Sequence, residues 1–429
     1  MPEWAPFRGW RFAVREGENL ATFVAPPYDV VTPEERRRLV QRHPHNIVQV
    51  DLPEPHEGED RYAFAAGLLR EWQQKGVLIQ EPSPVLYVLE QRFRLPTGEF
   101  LVRRGIIGLL KLEPWGQGVY PHERTFPHAK RDRLALLEAT RAEFSPVFLM
   151  FSDPERVVEA ALTQGPVMTT LAVASTDEDV TRLCAITDDA IVQQVIGLLA
   201  NRALYVADGH HRYETALNYQ RQQHDAGRGP GPHDFVLAYA VAMEDPGLVV
   251  LPTHRCLHDV PNWDEARLLG QLEEHFHVTH YTPEAELLGE LYANHQHDRV
   301  MGLVLAGRPG GYLLRWRHRA KSTELLLARN HPAVAQMDVA LLQDLVLEPV
   351  LGIGAEPAAQ RPYVAYEPKA QDAIEGVRAG RYQAAFLLRP TPLAQIKAVA
   401  DAGQVAPPKA TFFFPKLPSG LVIYDLDRS

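Results

Sequence analysis

The chain has 429 residues, too many for one compact core, so two or three domains are expected. Its 44 Lys and Arg against 54 Asp and Glu give a formal charge of −10, which excludes a bulk electrostatic grip on DNA or RNA and leaves room only for local basic pockets. Two cysteines build no disulfide framework, Met1-Pro2-Glu3-Trp4 has neither the basic flank nor the apolar run of a signal peptide, and the apolar stretch from Phe235 to Met243 is too short to span a bilayer. A soluble, cytoplasmic protein without a membrane or nucleic-acid partner is expected.

The first hundred residues read as a mixed α/β segment. Ala25-Pro26-Pro27-Tyr28-Asp29-Val30 is a rigid extended piece, and Thr32-Pro33-Glu34-Glu35 has the form of a capped helix start. Tyr62, Ala66, Leu68 and Leu69 mark a second helix. Val85 to Glu90 and Phe100 to Leu112, separated by Pro96-Thr97-Gly98, predict a hairpin or two neighbouring strands. A helix is expected over Leu134 to Thr140, and Ile191, Val195, Leu198 and Leu199 form a helical stripe leading into the apolar strand Leu204 to Ala207. Gly227 to Pro232 is a loop. From about Gly247 the chain alternates strands (Leu248 to Leu251, Val300 to Ala306, Tyr312 to Trp316, Ala384 to Leu388) with helices around Leu268 to Leu272 and Ile396 to Ala400, which predicts a separate α+β domain. The tail from Pro407 to Lys416 breaks every regular pattern and reads as a loop of two lysines and three aromatics, either packing or part of a pocket.

The densest chemistry lies in Ala207-Asp208-Gly209-His210-His211-Arg212. Tyr213, Ala216, Leu217 and Gln220 fall at helical spacing, so a helix opens near His210, Asp208 sits where an N-cap belongs, and Gly209 lets the backbone turn tightly. A helix start with basic neighbours attracts phosphate oxygens. Two bland readings stay open: Asp-Gly as an ordinary turn and Asp as a plain cap. Zinc is disfavoured by ligand count, because Cys184 and Cys256 lie far apart and His122-Glu123 opens no HExxH helix. There is no GxGxxG or Walker-type sequence. In Tyr120-Pro121-His122-Glu123-Arg124-Thr125 a carboxylate is flanked by imidazole and guanidinium, so Glu123 has the form of a general base and Arg124 of an anion holder; a solvated loop with an Arg-Glu pair is the competing reading.

Taken in order, these pieces resemble the free L-serine kinase family and its larger bacterial relatives long filed as a domain of unknown function. Pro121-His122-Glu123 looks like the segment bearing the family's catalytic glutamate, and Val206 to Arg212 like its nucleotide-phosphate motif. Gly247 to Arg255 is similar to the strand entering the family's second domain, and Gly380 through Thr411 to its C-terminal helix and lysine loop. The resemblance runs from about residue 105 to 417. It departs in the long insertion between Glu123 and Asp208, and in Phe412 and Phe413, which replace polar and basic side chains after Lys409-Ala410-Thr411.

The resemblance implies an α+β fold: an N-terminal α/β extension over 1–104, a ParB/sulfiredoxin-like nucleotide-binding catalytic domain over 105–245, and a C-terminal α+β substrate domain over 246–429. It implies phosphoryl transfer from ATP or ADP, with Mg²⁺, to the hydroxyl of free serine or a similar small compound. Glu123, Asp208 and His211 would be catalytic, with Asp208 positioning the metal or orienting a histidine. Gly209, His210, His211, Arg212 and Arg124 would hold phosphates, and Thr253, His254, Arg255, Lys409 and Thr411 the acceptor. The alternative is a nucleotide-binding or hydrolysing switch, or a regulatory protein, of the ParB-like class without kinase activity. Phe7-Arg8-Gly9 and Pro26 to Asp29 serve either the site or packing.

Overall fold

The computed structural model describes residues 2–55, 57–125, 127–163, 168–176, 179–293, 298–360 and 362–427. Its mixed α+β chain divides into two compact units: residues 1–121, 125–249 and 415–429 form the first, and 122–124 with 250–414 the second.

Unit 1 is built on a nine-stranded sheet. Its long strands are β1 (Leu86–Arg94), β2 (Phe100–Lys111), β3 (Val119–Tyr120), β4 (Val147–Phe151), β5 (Met168–Ser175), β6 (Val180–Ile186), β7 (Leu204–Asp208) and β8 (Phe235–Ala242), in the order β3-β7-β4-β8-β2-β1-β6-β5, with Trp4–Ala5 pairing beside β2. The expected hairpin forms β1 and β2, closed by a turn in which Gly98 takes φ +95, a conformation that favours glycine. The expected boundary after residue 104 falls inside β2, which pairs with β1 through residues 100–107 and with β8 through 106–111. A strand bonded along both edges cannot be divided between an extension and a domain, so the first hundred residues share one sheet with β4, β7 and β8.

The helices of this unit start where local chemistry dictates. Thr32 caps α1 (Pro33–Arg42) by accepting from the Glu35 amide at 3.2 Å, and Asp60 caps α2 (Arg61–Gln74) by accepting from the Tyr62 and Ala63 amides. Helix α3 (Pro127–Thr140) covers the stretch read as helical from Leu134. In α4 (Asp189–Leu199) the stripe Val192, Val195 and Leu199 packs with Tyr213, Ala216 and Leu217 of α5 (His210–Asp225) onto alternate residues of the sheet, among them Val147, Leu149, Phe151, Ala238 and Ala240. The C-terminal segment belongs here too: Ala25 bridges Ser419, Trp10 bridges Ile423, and Tyr424–Asp425 pairs with Ala142–Glu143. Phe7 packs against the rings of Tyr87 and Tyr424, and the Gly9 amide donates to the Tyr87 hydroxyl, so Phe7-Arg8-Gly9 is a packing segment.

Unit 2 carries a two-stranded ribbon of β9 (Val249–Leu251) and β16 (Phe412–Phe414), and an antiparallel six-stranded sheet. The sheet is formed by β10 (His254–Leu257), β11 (Phe276–Tyr281), β12 (Val300–Leu305), β13 (Gly311–Trp316), β14 (Val364–Glu367) and β15 (Ala384–Leu387), in the order β11-β13-β12-β15-β10-β14. Both faces are covered, which explains why its strands read as continuous apolar runs. Met301, Leu303, Leu305 and Phe386 face a core with Leu268 and Leu272 of α6 (Glu265–His275); Val300, Val304, Ala385 and Leu387 face one with Leu287 and Leu291 of α7 (Glu284–Tyr292) and Ile374 and Val377 of α8 (Ala370–Arg378). Ile396 and Val399 are buried on α9 (Leu393–Asp401). The tail expected to be irregular contains β16, whose Phe413 is buried while Phe412 and Phe414 are half-buried, a period-2 pattern too short to recognise beside Pro407, Pro408 and Pro415. Among the described residues no helix is long and apolar enough to cross a membrane.

Gly105 tests the sheet. A Cβ there would lie 2.4 Å from the Tyr239 ring and 2.7 Å from the Ala240 carbonyl oxygen, so Gly105→Ala is expected to destabilise by about 1–3 kcal/mol in urea unfolding. Gly67→Ala, in the middle of α2 with open space around it, should stabilise by about 0.5–1 kcal/mol.

Candidate functional site

In unit 1, β7 ends on Asp208 and the chain enters α5 through Gly209 at φ +91. The helix opens at His210 as the spacing predicts, but Asp208 is not its N-cap. Gly209 occupies that position and makes no side-chain capping hydrogen bond, and Asp208 lies one residue before it. Its carboxylate is drawn elsewhere: Lys416 lies 3.2 Å from Oδ1, and Arg212 donates to Oδ2 at 3.3 Å. Burial opposes ionisation of Asp208, yet Lys416 and Arg212, with His210 nearby, hold it well below the usual carboxylate range. With both oxygens engaged by cations, Asp208 is an anchor for Lys416 and Arg212.

Arg212 also donates to the Pro146 carbonyl, and its guanidinium folds back so far that a Cβ on residue 209 would meet it at 2.9 Å. Glycine is favoured at 209 by its φ, and a side chain there would also push the Arg212 guanidinium aside. His210 is buried, and His211 is half-buried on the first turn, where its charge acts on Glu214. Glu214 accepts from Thr125 and from Lys130 at 2.8 Å.

A small cavity of about 60 Å³ adjoins this junction, lined by Tyr28, Asp51, Arg133, Glu143, Ser145 and Arg212 together with apolar side chains such as Leu136 and Phe144. Arg133 donates to the Asp51 carboxylate at 2.8 Å and lies over the Tyr28 ring at 4.2 Å. Burial pushes the Tyr28 phenol up to about 12, with Asp29 adding to it and Arg133 and Arg212 opposing. Burial also raises the Glu143 carboxyl to about 8, against the Leu237 amide that donates to it at 2.6 Å and against Arg212. A larger cavity of about 580 Å³ reaches Lys416 and presents Thr32, Arg38, Arg42 and Arg92, a size that accommodates a ligand as large as a nucleotide.

Unit 2 collects a second group of expected residues. His122 is buried; its Nε2 is 3.0 Å from the Thr411 hydroxyl, and its carbonyl accepts from the Ala406 amide at 2.8 Å. Glu123 is half-buried, and its charge acts on Arg255 and on Tyr366. Arg255 is buried, lies 5.3 Å from the Tyr366 ring centre, and donates to the carbonyls of Thr253, Pro408 and Lys409, the last two at 3.0 and 3.1 Å. Burial lowers its pKa to about 10, while Tyr366 and Glu123 favour its charge. Lys409 adopts φ +54, uncommon for a non-glycine residue, and the Arg255 bonds hold it there.

The remaining expected residues are less suited to their roles. Arg124 is 70% exposed and 3.5 Å from Glu356, so the Arg-Glu pair anticipated for this loop forms with a distant glutamate rather than with Glu123. His254 is fully buried, its Nδ1 accepts from the Leu388 amide, and burial with Arg255 lowers its pKa to about 3. A neutral imidazole inside the sheet packs well but offers no charge to a carboxylate. Thr253 is buried, and its hydroxyl has no partner among the described residues.

Residues 4–340 match the family described as "Protein of unknown function (DUF1015)". The chain belongs to the DUF1015 family. No curated protein matches it. Among solved structures, this DUF1015 chain is similar to a conserved hypothetical protein from Pyrococcus furiosus (13% identity, TM-score 0.33, 72% of this chain and 93% of that one). It is also similar to a free serine kinase in complex with AMP (12% identity, TM-score 0.34, 71% and 88%) and to SbnI with a C-terminal truncation from Staphylococcus aureus (10% identity, TM-score 0.34, 72% and 84%).

Lys416 and Glu143 of the DUF1015 chain were missed in the sequence. Lys416 stands at the end of an aromatic tail with no spacing that ties it to Asp208. Glu143 sits in Arg141-Ala142-Glu143-Phe144, where only the fold shows that its carboxyl is buried.

Lys416→Met is expected to lower stability at neutral pH by about 1–3 kcal/mol, reduced from a fully buried pair because both side chains are about one-fifth exposed. The folded pKa of Asp208 is depressed, so the contribution is present above its ordinary value of 3.8 and disappears as pH falls through the folded value. The gap between wild type and variant in urea unfolding should close along that acid limb.

Glu143 has the opposite sign. The native state keeps its proton between 4.5 and about 8 while the unfolded chain releases it, so this group makes stability fall across that window, by at most roughly 1.4 kcal/mol per pH unit. Glu143→Gln retains an acceptor for the Leu237 amide and should remove that slope; an unchanged slope would assign it to other groups.

Proposed function

We propose that this chain is a small-molecule phosphotransferase that moves a nucleotide phosphoryl group to the hydroxyl of free serine or a similar small acceptor, with a ParB/sulfiredoxin-type core in its first unit and cytoplasmic metabolites as its substrates. The observation that carries the reading is the β7–Gly209–α5 junction. A sixteen-residue helix begins at a left-handed glycine, and Arg212 and Lys416 are gathered at that junction by one carboxylate. The positive end of the helix dipole and two cations favour a phosphate there, and the cavity that reaches Lys416 has volume for the rest of a nucleotide.

The roles divide by chemistry. His210, His211 and Arg212 accompany the amides of the α5 start as phosphate contacts, and Asp208 fixes the direction of Arg212 and Lys416. Glu123 accepts the acceptor's hydroxyl proton; the His122–Thr411 hydrogen bond fixes the preceding residue, and Arg255 favours the ionised carboxylate. Arg255 also presents Lys409 through the loop backbone, where an ammonium would offset charge in the transferring phosphoryl group. Mg²⁺ would neutralise the phosphate oxygens of ATP or ADP as it does in phosphoryl transfer generally. No residue is assigned to hold it, because both Asp208 oxygens are already engaged by cations.

Phosphorus NMR of the purified chain with Mg²⁺ and ADP or ATP, with and without L-serine, tests the proposal. A phosphomonoester that appears only with serine and is reduced at least a hundredfold in Glu123→Gln, a loss of the size general-base removal gives, supports it. Nucleotide binding with no new phosphoester under any condition would replace it with a nucleotide-dependent switch.

A further inference from the structure

The far end of α5 carries a group of side chains that phosphate chemistry does not use. His224, His233 and Asp234 each offer one nitrogen or oxygen, and these three atoms lie within 4.8 Å of one another. His224 stands on the last turn of α5, about 21 Å along the helix from His210 at 1.5 Å per residue. His233 and Asp234 come after the glycine- and proline-rich loop from Ala226 to Pro232 and immediately precede β8. We propose that these residues form a surface site for a divalent transition metal of the Zn²⁺ class, clipping the C-terminus of α5 to the start of β8.

A simple ion pair accounts for part of the arrangement: His224 Nε2 is 2.9 Å from Asp234 Oδ1. It does not account for His233. His233 is only 7% exposed, and its Nε2 has no hydrogen-bond partner among the described residues, a costly state for a ring nitrogen unless something satisfies it.

The surroundings of Asp234 fit a ligating carboxylate. The Gly231 amide donates to Oδ2 and Gln220 Nε2 to Oδ1, both at 2.9 Å, which is the outer-shell support that orients a carboxylate ligand. Two imidazoles and a carboxylate select Zn²⁺ and its neighbours over Mg²⁺. Tetrahedral ligands at zinc distances stand about 3.3 Å apart, so binding requires a small inward movement. His224, 47% exposed, can supply it by rotation, and its exposure leaves the fourth position to water.

Zn²⁺ titrated into the full chain without nucleotide, followed by competition with a colorimetric chelator and by thermal unfolding, tests the site apart from any phosphoryl transfer. One bound equivalent and a raised Tm are expected for the wild type, with Mg²⁺ producing neither. His224→Ala, at an exposed position that leaves folding intact, should lose both effects, and Gln220→Ala should weaken binding about 10–100-fold. Absence of zinc binding, or binding unchanged in His224→Ala, overturns the proposal.

Discussion

The ion triad of Asp208, Lys416 and Arg212 is the constraint on which the organisation of the first unit depends. A carboxylate at the end of a central strand, mostly withdrawn from water, keeps its charge only if cations stay beside it. One cation comes from the first turn of the adjoining helix, four residues away. The other comes from more than two hundred residues later. Holding Lys416 fixes the C-terminal segment around it, and that segment closes the unit: the Pro415 carbonyl accepts from the fully buried Arg103 at 2.7 Å, and Ser419 bridges back to Ala25. Asp208 is therefore a structural keystone as well as the residue that aims two cations.

The loop before β16 in the second unit is fixed by a different device. Arg255 spends its guanidinium on main-chain carbonyls rather than on an acid, Thr391 donates to the Ala410 carbonyl at 2.8 Å, and His122 meets Thr411. Three side chains from separate elements thereby hold a short stretch containing a left-handed lysine. Strain of that kind persists only where the surroundings determine it fully. An arginine used this way acts on the site through the loop backbone that it positions.

Local signals in the sequence were legible where local physics decides. The hairpin of β1 and β2, the cap at Thr32, the stripe on α4 and the opening of α5 all came from periodicity and turn residues, because each is settled within a few residues of itself. Two of the readings that changed depend on distant partners. Asp208 looked like a cap because nothing nearby in sequence announces Lys416; Phe412 to Phe414 looked irregular because its pairing partner is β9, some 160 residues earlier. Glu143 shows the same limit in electrostatics, since its raised pKa comes from burial that no neighbour in sequence reveals.

The first hundred residues illustrate how long-range polar contacts cross a domain boundary drawn from where a resemblance begins. Asp51 is buried with its carboxylate shared between Arg133 at 2.8 Å and the Ser419 hydroxyl at 2.9 Å, and Ser419 in turn meets Ser145 at 2.5 Å. These four residues come from the N-terminal stretch, α3, the strand-bearing middle and the C-terminal tail. Removing the N-terminal part would leave Arg133 buried without its principal counter-charge, a far greater cost than loss of an exposed pair. Tyr28, stacked beneath Arg133, adds an aromatic face to the same cation. A segment joined to the rest through a buried ionic network, and through the central sheet, is part of the unit that carries the β7–Gly209–α5 junction rather than an attachment to it.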